Sequence, residues 1–247
     1  MTEKLRFVLL PDELITMQQS IQWELWRMDH DLADAAAKLS RKDLAGEETR
    51  RILKELASPY TNVIDAAATN ARGIMKAMEP VKQALEGSDI SQQAHIKKLH
   101  ATRQPVLSRG FAAVEGYQAV ALEWPIFNQD NQLAGSVSLL IKPELFASLQ
   151  ENKGLKSEKF LIMETDGLIL FDSQKEQTGQ NTLADIINRT NPELFKLAPK
   201  IAKNKSGTAS YTLVEAAQKE VAKRTDWTTV GLHGKEWRLI QNYSVRD

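Results

Sequence analysis

The segment Gly110–Ile141 constrains the fold most strongly, because three stretches with the composition of β-strands follow one another in it. Each stretch is rich in β-formers and small residues and is bounded by glycine or by an Asn/Asp cluster. The stretches are Phe111–Glu115, Gln118–Phe127 and Ala134–Ile141, and a short turn at Gln129–Gln132 separates the last two. The pattern predicts three consecutive antiparallel strands. Because it contains no catalytic motif, it favours a binding or sensing module over an enzyme.

Length and charge narrow the class of protein. A chain of 247 residues, 42% of them hydrophobic, is long enough for one large or two small domains with real cores. The 32 basic residues balance the 32 acidic ones, so we expect no general attraction to nucleic acid or anionic lipid. Without cysteine there is no disulfide framework and no thiolate metal site, which leaves the compartment open.

The longest apolar run near the start, Phe7–Leu10, is far shorter than the roughly 20 residues of a membrane helix. It is also short for the core of a signal peptide. The sequence therefore predicts that this chain neither spans nor targets a membrane, which would equally hold for part of a longer, anchored protein.

A long amphipathic helix is predicted over Pro11–Leu39. Proline suits its first turn, and the acidic residues that follow favour the positive end of a helix. Trp23 and Trp26 lie off the apolar seam, and we expect them to pack on the following domain. The seam, which has the a/d spacing of such a helix, consists of Leu14, Ile21, Leu25, Met28, Leu32, Ala35 and Leu39.

Two modules with the same order of elements follow this helix and a shorter one at Arg51–Leu56. The first module begins with two strands in Asn62–Met78 around a turn at Asn70–Gly73. Ser88 and Asp89 offer N-caps for a helix near Ile90–Leu99, and the link Ala101–Ser108 then leads into the central strands.

The second module follows a helix at Lys142–Gln150 and a polar connector at Glu151–Lys156. The repeat has a period of about 95 residues, which indicates a duplicated plan. We assign residues 1–55 to the helices, 56–150 to the first module and 151–247 to the second. The predicted elements of the second module are strands at Lys159–Met163 and Leu168–Phe171, helical segments at Leu183–Ile187 and Pro192–Lys203, and strands at Thr208–Val214, Glu220–Val230 and Trp237–Tyr243.

These features resemble the double Cache family, the extracytoplasmic sensor domains of bacterial and archaeal histidine kinases, chemoreceptors and related proteins. The similar parts are the long leading helix, the ARGIMKAMEP and EGYQAVALEWPIFNQDNQLAGSVSLLI segments of the first module, and METDGLILFDSQKEQTGQN and DWTTVGLHGKEWRLI in the second. The resemblance implies an α+β fold in which a long N-terminal helix precedes two PAS-like modules, each a mainly antiparallel sheet flanked by helices. It implies that the first module is membrane-distal and holds the ligand, while the second is membrane-proximal and transmits.

One departure from that family concerns the ligand. Members that bind amino acids carry a signature of Tyr, Arg, Trp-Tyr and Asp in the first module. The matching loop here, HATRQPVLSRG, contains Arg103 but no Trp-Tyr pair, which argues against an α-amino-acid ligand.

The side chains of the two predicted sheets differ in size. Small residues line the first sheet, and such a floor suggests a pocket. Bulky residues would fill the equivalent space in the second, namely Phe160, Ile162, Leu168, Leu170 and Phe171. The small residues are Ala66, Ala67, Ala68, Ala112, Ala113, Ala119, Ala121, Ser136 and Ser138.

Six residues near the predicted pocket are candidates for ligand binding. An arginine with a hydroxyl and a phenol could clamp a small carboxylate, since guanidinium pairs with it bidentately. The alternative is that Arg103 pairs with Glu115 or lies in water, and that Tyr117 and Trp124 belong to the core. The candidates are His100, Arg103, Ser108, Glu115, Tyr117 and Trp124.

No other motif indicates chemistry. The four histidines show no spacing suited to a metal and are interpreted as surface or satisfied residues, so we expect no metal, cofactor or catalytic residue. Glu123, Glu164 and Asp172 could be imagined as paired acids, but a solvated sheet face explains them more simply.

The sequence thus predicts the extracytoplasmic sensor domain of a signalling receptor that binds a small molecule and is anchored by segments outside this chain. The alternatives are a stand-alone, lipoprotein-like binding protein and a hydrolase using Glu115 or Glu123. Homodimerisation along Leu14–Leu39 is one role for the apolar seam, and packing on its own domains is the other.

Overall fold

The computed structural model describes residues 9–113, 118–155, 159–184, 192–214 and 220–244. The helices in this part of the chain are α1 (Asp12–Leu39), α2 (Glu47–Ala57), α3 (Ala94–Thr102), α4 (Glu144–Asn152) and α5 (Pro192–Lys203). The strands are β1 (Val63–Asn70), β2 (Met75–Glu79), β3 (Val106–Leu107), β4 (Phe111–Ala112), β5 (Gln118–Phe127), β6 (Leu133–Ile141), β7 (Lys159–Glu164), β8 (Ile169–Asp172), β9 (Gly207–Val214), β10 (Glu220–Leu232) and β11 (Lys235–Ser244). The α+β class and the repeated order of elements are confirmed.

The chain forms two compact units. The first-module unit comprises Trp23–Leu145 and the hairpin tip Gly231–Lys235. The second-module unit comprises the described residues up to Gln22, those within Phe146–Val230 and those from Glu236 onward. Helix α1 therefore contributes residues to both units, and the three-part division drawn from the sequence stays a prediction. Within the described ranges no helix is both long enough and apolar enough to cross a membrane.

The apolar seam of α1 is buried within the chain, which agrees with the prediction that it packs on its own domains. A seam already occupied in this way cannot also serve as the contact surface of a dimer without unpacking the core. Its residues Leu14, Ile21, Leu25, Met28, Leu32 and Leu39 are each no more than 1% exposed.

The prediction that Trp23 and Trp26 pack on the following domain is wrong. Their side chains are 62% and 52% exposed. Trp23 lies two positions from both Ile21 and Leu25, about 200° around a helix with 3.6 residues per turn, so it faces away from the seam. The two rings lie 5.3 Å apart between centroids, and Trp26 stacks on His30 at 5.8 Å.

The first sheet has the order β2-β1-β6-β5-β3, with β4 paired to β5. The predicted antiparallel pairing of β5 with β6 is confirmed, and Glu123 lies opposite Ser138. The turn between them is closed by Asn128, whose side-chain oxygen accepts the N–H groups of Asp130 and Gln132 at 3.0 and 2.8 Å.

Helix α3 begins at Ala94, four residues later than the sequence predicted. Asp89 does not cap it, because its side chain accepts the nearby N–H of Ser91 at 2.8 Å and so closes a local turn instead. Elsewhere in this unit, Arg50 of α2 makes two hydrogen bonds of 2.7 and 2.8 Å to Glu86, which lies in a turn after β2. Such bidentate pairing fixes both position and orientation.

The second sheet has the order β8-β7-β11-β10-β9. One of its faces forms a core with α5 that contains Leu161, Met163, Ile169, Leu197, Ile201, Ala202, Trp227 and Ile240. The buried Arg238, 2% exposed, donates to the carbonyls of Ile201 and Ala202 at 3.2 and 3.1 Å near the end of α5. A cation there complements the helix dipole as well as the unpaired carbonyls. Of the bulky residues expected to fill this module, Phe160, Ile162, Leu170 and Phe171 are buried.

The close approach of β1 and β6 generates a testable prediction at Gly135. A Cβ added there would lie 1.9 Å from the carbonyl oxygen of Thr69, a backbone atom that cannot move aside. We expect Gly135→Ala to lower the free energy of unfolding by roughly 1–3 kcal/mol or more, as measured by urea denaturation.

Gly46→Ala is the matched control, since a Cβ there meets no atom closer than 3.3 Å. Its effect should stay below about 1 kcal/mol, as for alanine at a helix N-terminus. Equal effects of the two substitutions would contradict the packing of β1 against β6.

Candidate functional site

The two faces of the first sheet meet different helices. Glu123 and Trp124 are neighbours in β5, so their side chains point to opposite faces. The Nε1–H of Trp124 donates to Asp29 of α1 at 2.6 Å. On the other face, Oε2 of Glu123 lies 3.5 Å from Nε2 of His95 in α3. The sheet is therefore covered by α1 on one side and by α3 on the other.

The face below α3, which we call the Glu123 face, carries small and polar side chains. Because directly paired residues point to the same side of a sheet, the register assigns its members. Ala66 and Ala68 alternate to the opposite face, so only part of the predicted floor of small residues lies together. The small and polar members of the Glu123 face are Ala67, Thr69, Ala121, Glu123, Ser136 and Ser138, and the same register adds Asp65, Met78, Val106, Pro125 and Leu140 to it.

A chain of hydroxyl groups ends at Glu123. The hydroxyl of Ser136 donates to Oε1 of Glu123, and the Ser136 oxygen lies 2.6 Å from that of Thr69. Since Ser136 has spent its hydrogen on the carboxyl group, Thr69 must donate to Ser136. The other carboxyl oxygen, Oε2, is buried and has no hydrogen-bond partner in the part of the chain that the structure describes. Among the described residues, one oxygen of this carboxyl group is thus hydrogen-bonded and the other is not.

Burial sets the charge state of this pair. Desolvation raises the pKa of Glu123 to about 7, against the weaker opposing effect of the Ser136 hydrogen bond. Desolvation also lowers the pKa of His95 to about 4. Although the two side chains approach to 3.5 Å, that distance is beyond a normal hydrogen bond, so an ion pair between them would not repay the loss of water. At neutral pH, His95 is uncharged and Glu123 lies at the midpoint of its titration.

The solvated-face interpretation of the three acidic residues is wrong. Glu123, Glu164 and Asp172 are 1%, 0% and 5% exposed. Asp172 has a structural role, because its carboxylate accepts backbone N–H groups of the following turn at 2.8 to 3.1 Å. The signal missed for Glu123 was that β5 carries apolar or small residues on both faces, which is typical of a strand covered on both sides.

The structure describes four of the six predicted site residues, namely His100, Arg103, Ser108 and Trp124. Arg103 is exposed at the end of α3, where it has a φ of 55° and its N–H donates to Leu99 at 2.7 Å. Trp124 lies on the α1 face, opposite Glu123. The remaining predicted residues Glu115 and Tyr117 lie outside the described residues.

Ser108 and His100 differ in how their polar atoms are used. The Ser108 hydroxyl donates to the carbonyl of Arg109 at 2.7 Å and accepts the N–H of Ala121 at 2.8 Å, so the backbone occupies it. His100 lies in α3, and its Nε2 is buried without a hydrogen-bond partner among the described residues. The interpretation of all four histidines as surface or satisfied residues therefore does not hold for His100.

Sequence reasoning also missed Phe111, the aromatic neighbour of the site. Its ring stacks on that of His95, with centroids 5.6 Å apart and planes inclined by 22°. Strand β4 thus places an apolar surface beside the imidazole that faces Glu123.

On the opposite face of the sheet, the carboxylate of Asp29 in α1 contacts both Trp124 and His233. One of its carboxylate oxygens accepts Trp124 Nε1–H and also lies 2.6 Å from Nε2 of His233. His233 belongs to the tip of the β10–β11 hairpin, where it has a φ of 51°. This arrangement satisfies Trp124 and His233 and makes the α1 face structural, which leaves the Glu123 face as the candidate site.

The described chain thus contains two antiparallel sheets of the same strand plan, flanked by helices and preceded by one long helix, which is a tandem-module α+β architecture. Residues 24–143 match the family model described as HK/GC/chemotaxis protein-like, sensor domain. This part of the chain is similar to that sensor-domain family, and the chain as a whole has the double Cache fold. A search of curated proteins found no match.

Solved structures agree on the fold. An extracellular ligand binding receptor from Desulfohalobium retbaense is 31% identical over 94% of this chain, with a TM-score of 0.79, and this chain covers 39% of that receptor chain. The ligand-binding domain of the Pseudomonas aeruginosa amino acid chemoreceptor PctC, in complex with GABA, is 18% identical. It matches 93% of this chain and 95% of its own, with a TM-score of 0.67. The ligand-binding domain of the Pseudomonas fluorescens chemoreceptor CtaA, in complex with L-isoleucine, is 15% identical at a TM-score of 0.69, over 93% and 88% of the two chains.

The raised pKa of Glu123 predicts how stability depends on pH. A carboxyl group with a raised pKa in the folded state favours folding at low pH, and this contribution is lost as the pH rises through the folded value. Between about pH 4 and pH 8, wild type should therefore lose about 3 kcal/mol of unfolding free energy relative to Glu123→Gln. Urea denaturation of both proteins across this range measures the difference.

Ser138→Ala is the control, because it changes the residue paired with Glu123 without removing a titratable group. It should keep the pH dependence of wild type. If Glu123→Gln also kept it, Glu123 would not be titrating in a buried environment.

Proposed function

We propose that this chain is the ligand-binding sensor domain of a signal-transduction receptor, and that its ligand is a small molecule held between the Glu123 face and α3. The observation that carries the proposal is the buried Oε2 of Glu123, which has no hydrogen-bond partner in the described part of the chain. Leaving a buried polar atom unpaired costs about 1–3 kcal/mol, so such atoms are rare in folded proteins. A ligand that supplies the missing partner recovers this free energy.

The surroundings of Glu123 support binding over a purely structural role. Small side chains such as Ala67 and Ala121 cover little of the sheet, and His95 and Phe111 supply a polar and an aromatic wall. A few convergent polar groups among apolar ones are typical of small-molecule sites. The predicted residues His100 and Arg103 lie in and at the end of the helix that covers this face.

Similarity to a sensor-domain family favours sensing over the alternatives of a stand-alone binding protein or a hydrolase. Residues 24–143 match a sensor-domain family, and the compared structures are described as an extracellular receptor and as chemoreceptor domains. We therefore propose an extracytoplasmic location and a parent receptor anchored by segments outside this chain. Dimerisation of that receptor remains a proposal, and it would use a surface other than the buried seam of α1.

Signalling would begin with the loop and helix over the site. Ligand contacts would draw α3 and the link Ala101–Ser108 toward the sheet, and α1 on the opposite face would respond. A ligand shifts such an equilibrium only by as much as it favours one conformation. The contacts that differ between the two states would therefore be those made to α3.

A thermal-shift screen of a metabolite library tests this proposal. A ligand present at a hundred times its dissociation constant stabilises the protein by about 2.7 kcal/mol, which is readily seen in the melting temperature. We expect at least one compound whose stabilisation is lost in Glu123→Gln or Arg103→Ala and retained in Glu164→Gln, a substitution of an equally buried acid in the second module. If the stabilisation by every active compound were unchanged by all substitutions in the first module, the site would lie elsewhere and the proposal would be refuted.

A further inference from the structure

Resting on the proposed function, we infer that the ligand is a small organic cation, a primary amine or an amidine, whose charged nitrogen lies between Glu123 Oε2 and His95 Nε2. The cation takes the place of the proton that Glu123 otherwise carries. This assigns to the site a class of ligand opposite in charge to the carboxylate that the sequence suggested.

The direction of the hydrogen bonds at Glu123 selects for a donor. Thr69 donates to Ser136, and Ser136 donates to Oε1, so both hydroxyl hydrogens are already committed toward the carboxyl group. What remains free at the site is an acceptor, Oε2. A carboxylate ligand has only acceptors and could pair with Glu123 only while that side chain keeps its proton, whereas an ammonium group brings three donors to the ionised carboxylate.

His95 supplies the second acceptor. Its burial lowers the pKa to about 4, so at neutral pH the ring is uncharged and one nitrogen carries a lone pair. The Nε2 atom lies 3.5 Å from Glu123 Oε2, and in the tautomer that carries the hydrogen on Nδ1 a ligand nitrogen bridging the two atoms can donate to both. Because the imidazole is uncharged, it does not repel a cation.

The charged groups around Glu123 leave its charge uncompensated. On the same sheet face, Asp65 already has a counter-ion, since Lys82 Nζ lies 3.6 Å from its carboxylate. Strand β6 presents Ser136, Ser138 and Leu140 to this face, β3 places Val106 beside Glu123, and α3 presents His95, so none of these neighbours carries a positive charge at neutral pH. In the ranges that the structure describes, no lysine or arginine lies within ion-pair distance of Glu123. A ligand cation would therefore be the group that neutralises the charge of its carboxylate.

The aromatic wall indicates what the cation carries. Phe111 stacks on His95 beside the proposed nitrogen position, and its ring offers an apolar and weakly cation-attracting surface. An amine with a short apolar or aromatic arm fits this combination better than a highly hydrated one.

Proton exchange gives the inference a distinctive signature. When Glu123 is protonated, binding of the cation releases one proton from its carboxyl group to the solvent, and the charge of the site is unchanged. Burial raises the pKa of Glu123 to about 7, so affinity for a cation should increase with pH by up to about tenfold per unit below that value.

The test is isothermal titration calorimetry of the whole chain with ethanolamine, putrescine, agmatine and 2-phenylethylamine, and with acetate and succinate as carboxylates. We expect an amine or the guanidino compound to bind, with release of about one proton at pH 6 as read from two buffers of different ionisation enthalpy. Glu123→Gln should weaken this binding by tenfold or more and abolish the proton release, since a hydrogen bond to a charged group is lost. Glu164→Gln should bind as wild type does.

Binding of the carboxylates without the cations would overturn the inference, as would equal cation affinity in wild type and Glu123→Gln, or no binding by any cation of the panel. These outcomes are distinct from failure of the proposed function. A neutral or anionic compound that emerges from the library screen and depends on first-module residues would refute the cation and leave the sensor domain standing. A screen with no compound sensitive to first-module substitutions would refute both.

Discussion

The burial of one carboxyl group beneath α3 is the constraint on which this account depends. Glu123 is 1% exposed, is satisfied on one oxygen by Ser136 and faces a neutral His95 with the other. A hydrophobic residue of similar size would fill this place at less cost, because an acid loses its hydration on burial. We propose that a ligand pairing with this carboxyl group is the reason for a glutamate at this position.

The division of tasks between the two faces of the first sheet follows from alternation along β5. Trp124 points toward α1, where Asp29 accepts hydrogen bonds from both Trp124 and His233. Glu123 points the other way, toward a helix of only nine residues. A short helix with few buried residues is easier to displace than a long one with a fully buried seam. The two faces of this sheet are thus covered by helices of very different length.

Much of the fold could be predicted from sequence because the strands are bounded by turn residues and the seam of α1 is periodic. The predicted start of α3 is four residues too early, because the side chain of Asp89 hydrogen-bonds within its own turn instead of capping the helix. The site was harder to predict. Whether Glu123 is solvated depends on α3, which covers the face from more than twenty residues away, and sequence periodicity carries no information on that contact. The opposite error concerns Trp23 and Trp26. Their size and aromatic character predict burial, whereas both side chains are exposed.

The most direct test of the central claim is a carbon-13 NMR titration of the Glu123 side-chain carboxyl carbon, assigned by comparison with Glu123→Gln. In the ligand-free protein the account predicts a midpoint near the pKa of about 7 that burial imposes. Addition of a bound cation should move this midpoint to lower pH. A ligand-free midpoint at the ordinary glutamate value of about 4.3 would show a hydrated or already paired carboxylate and contradict the account.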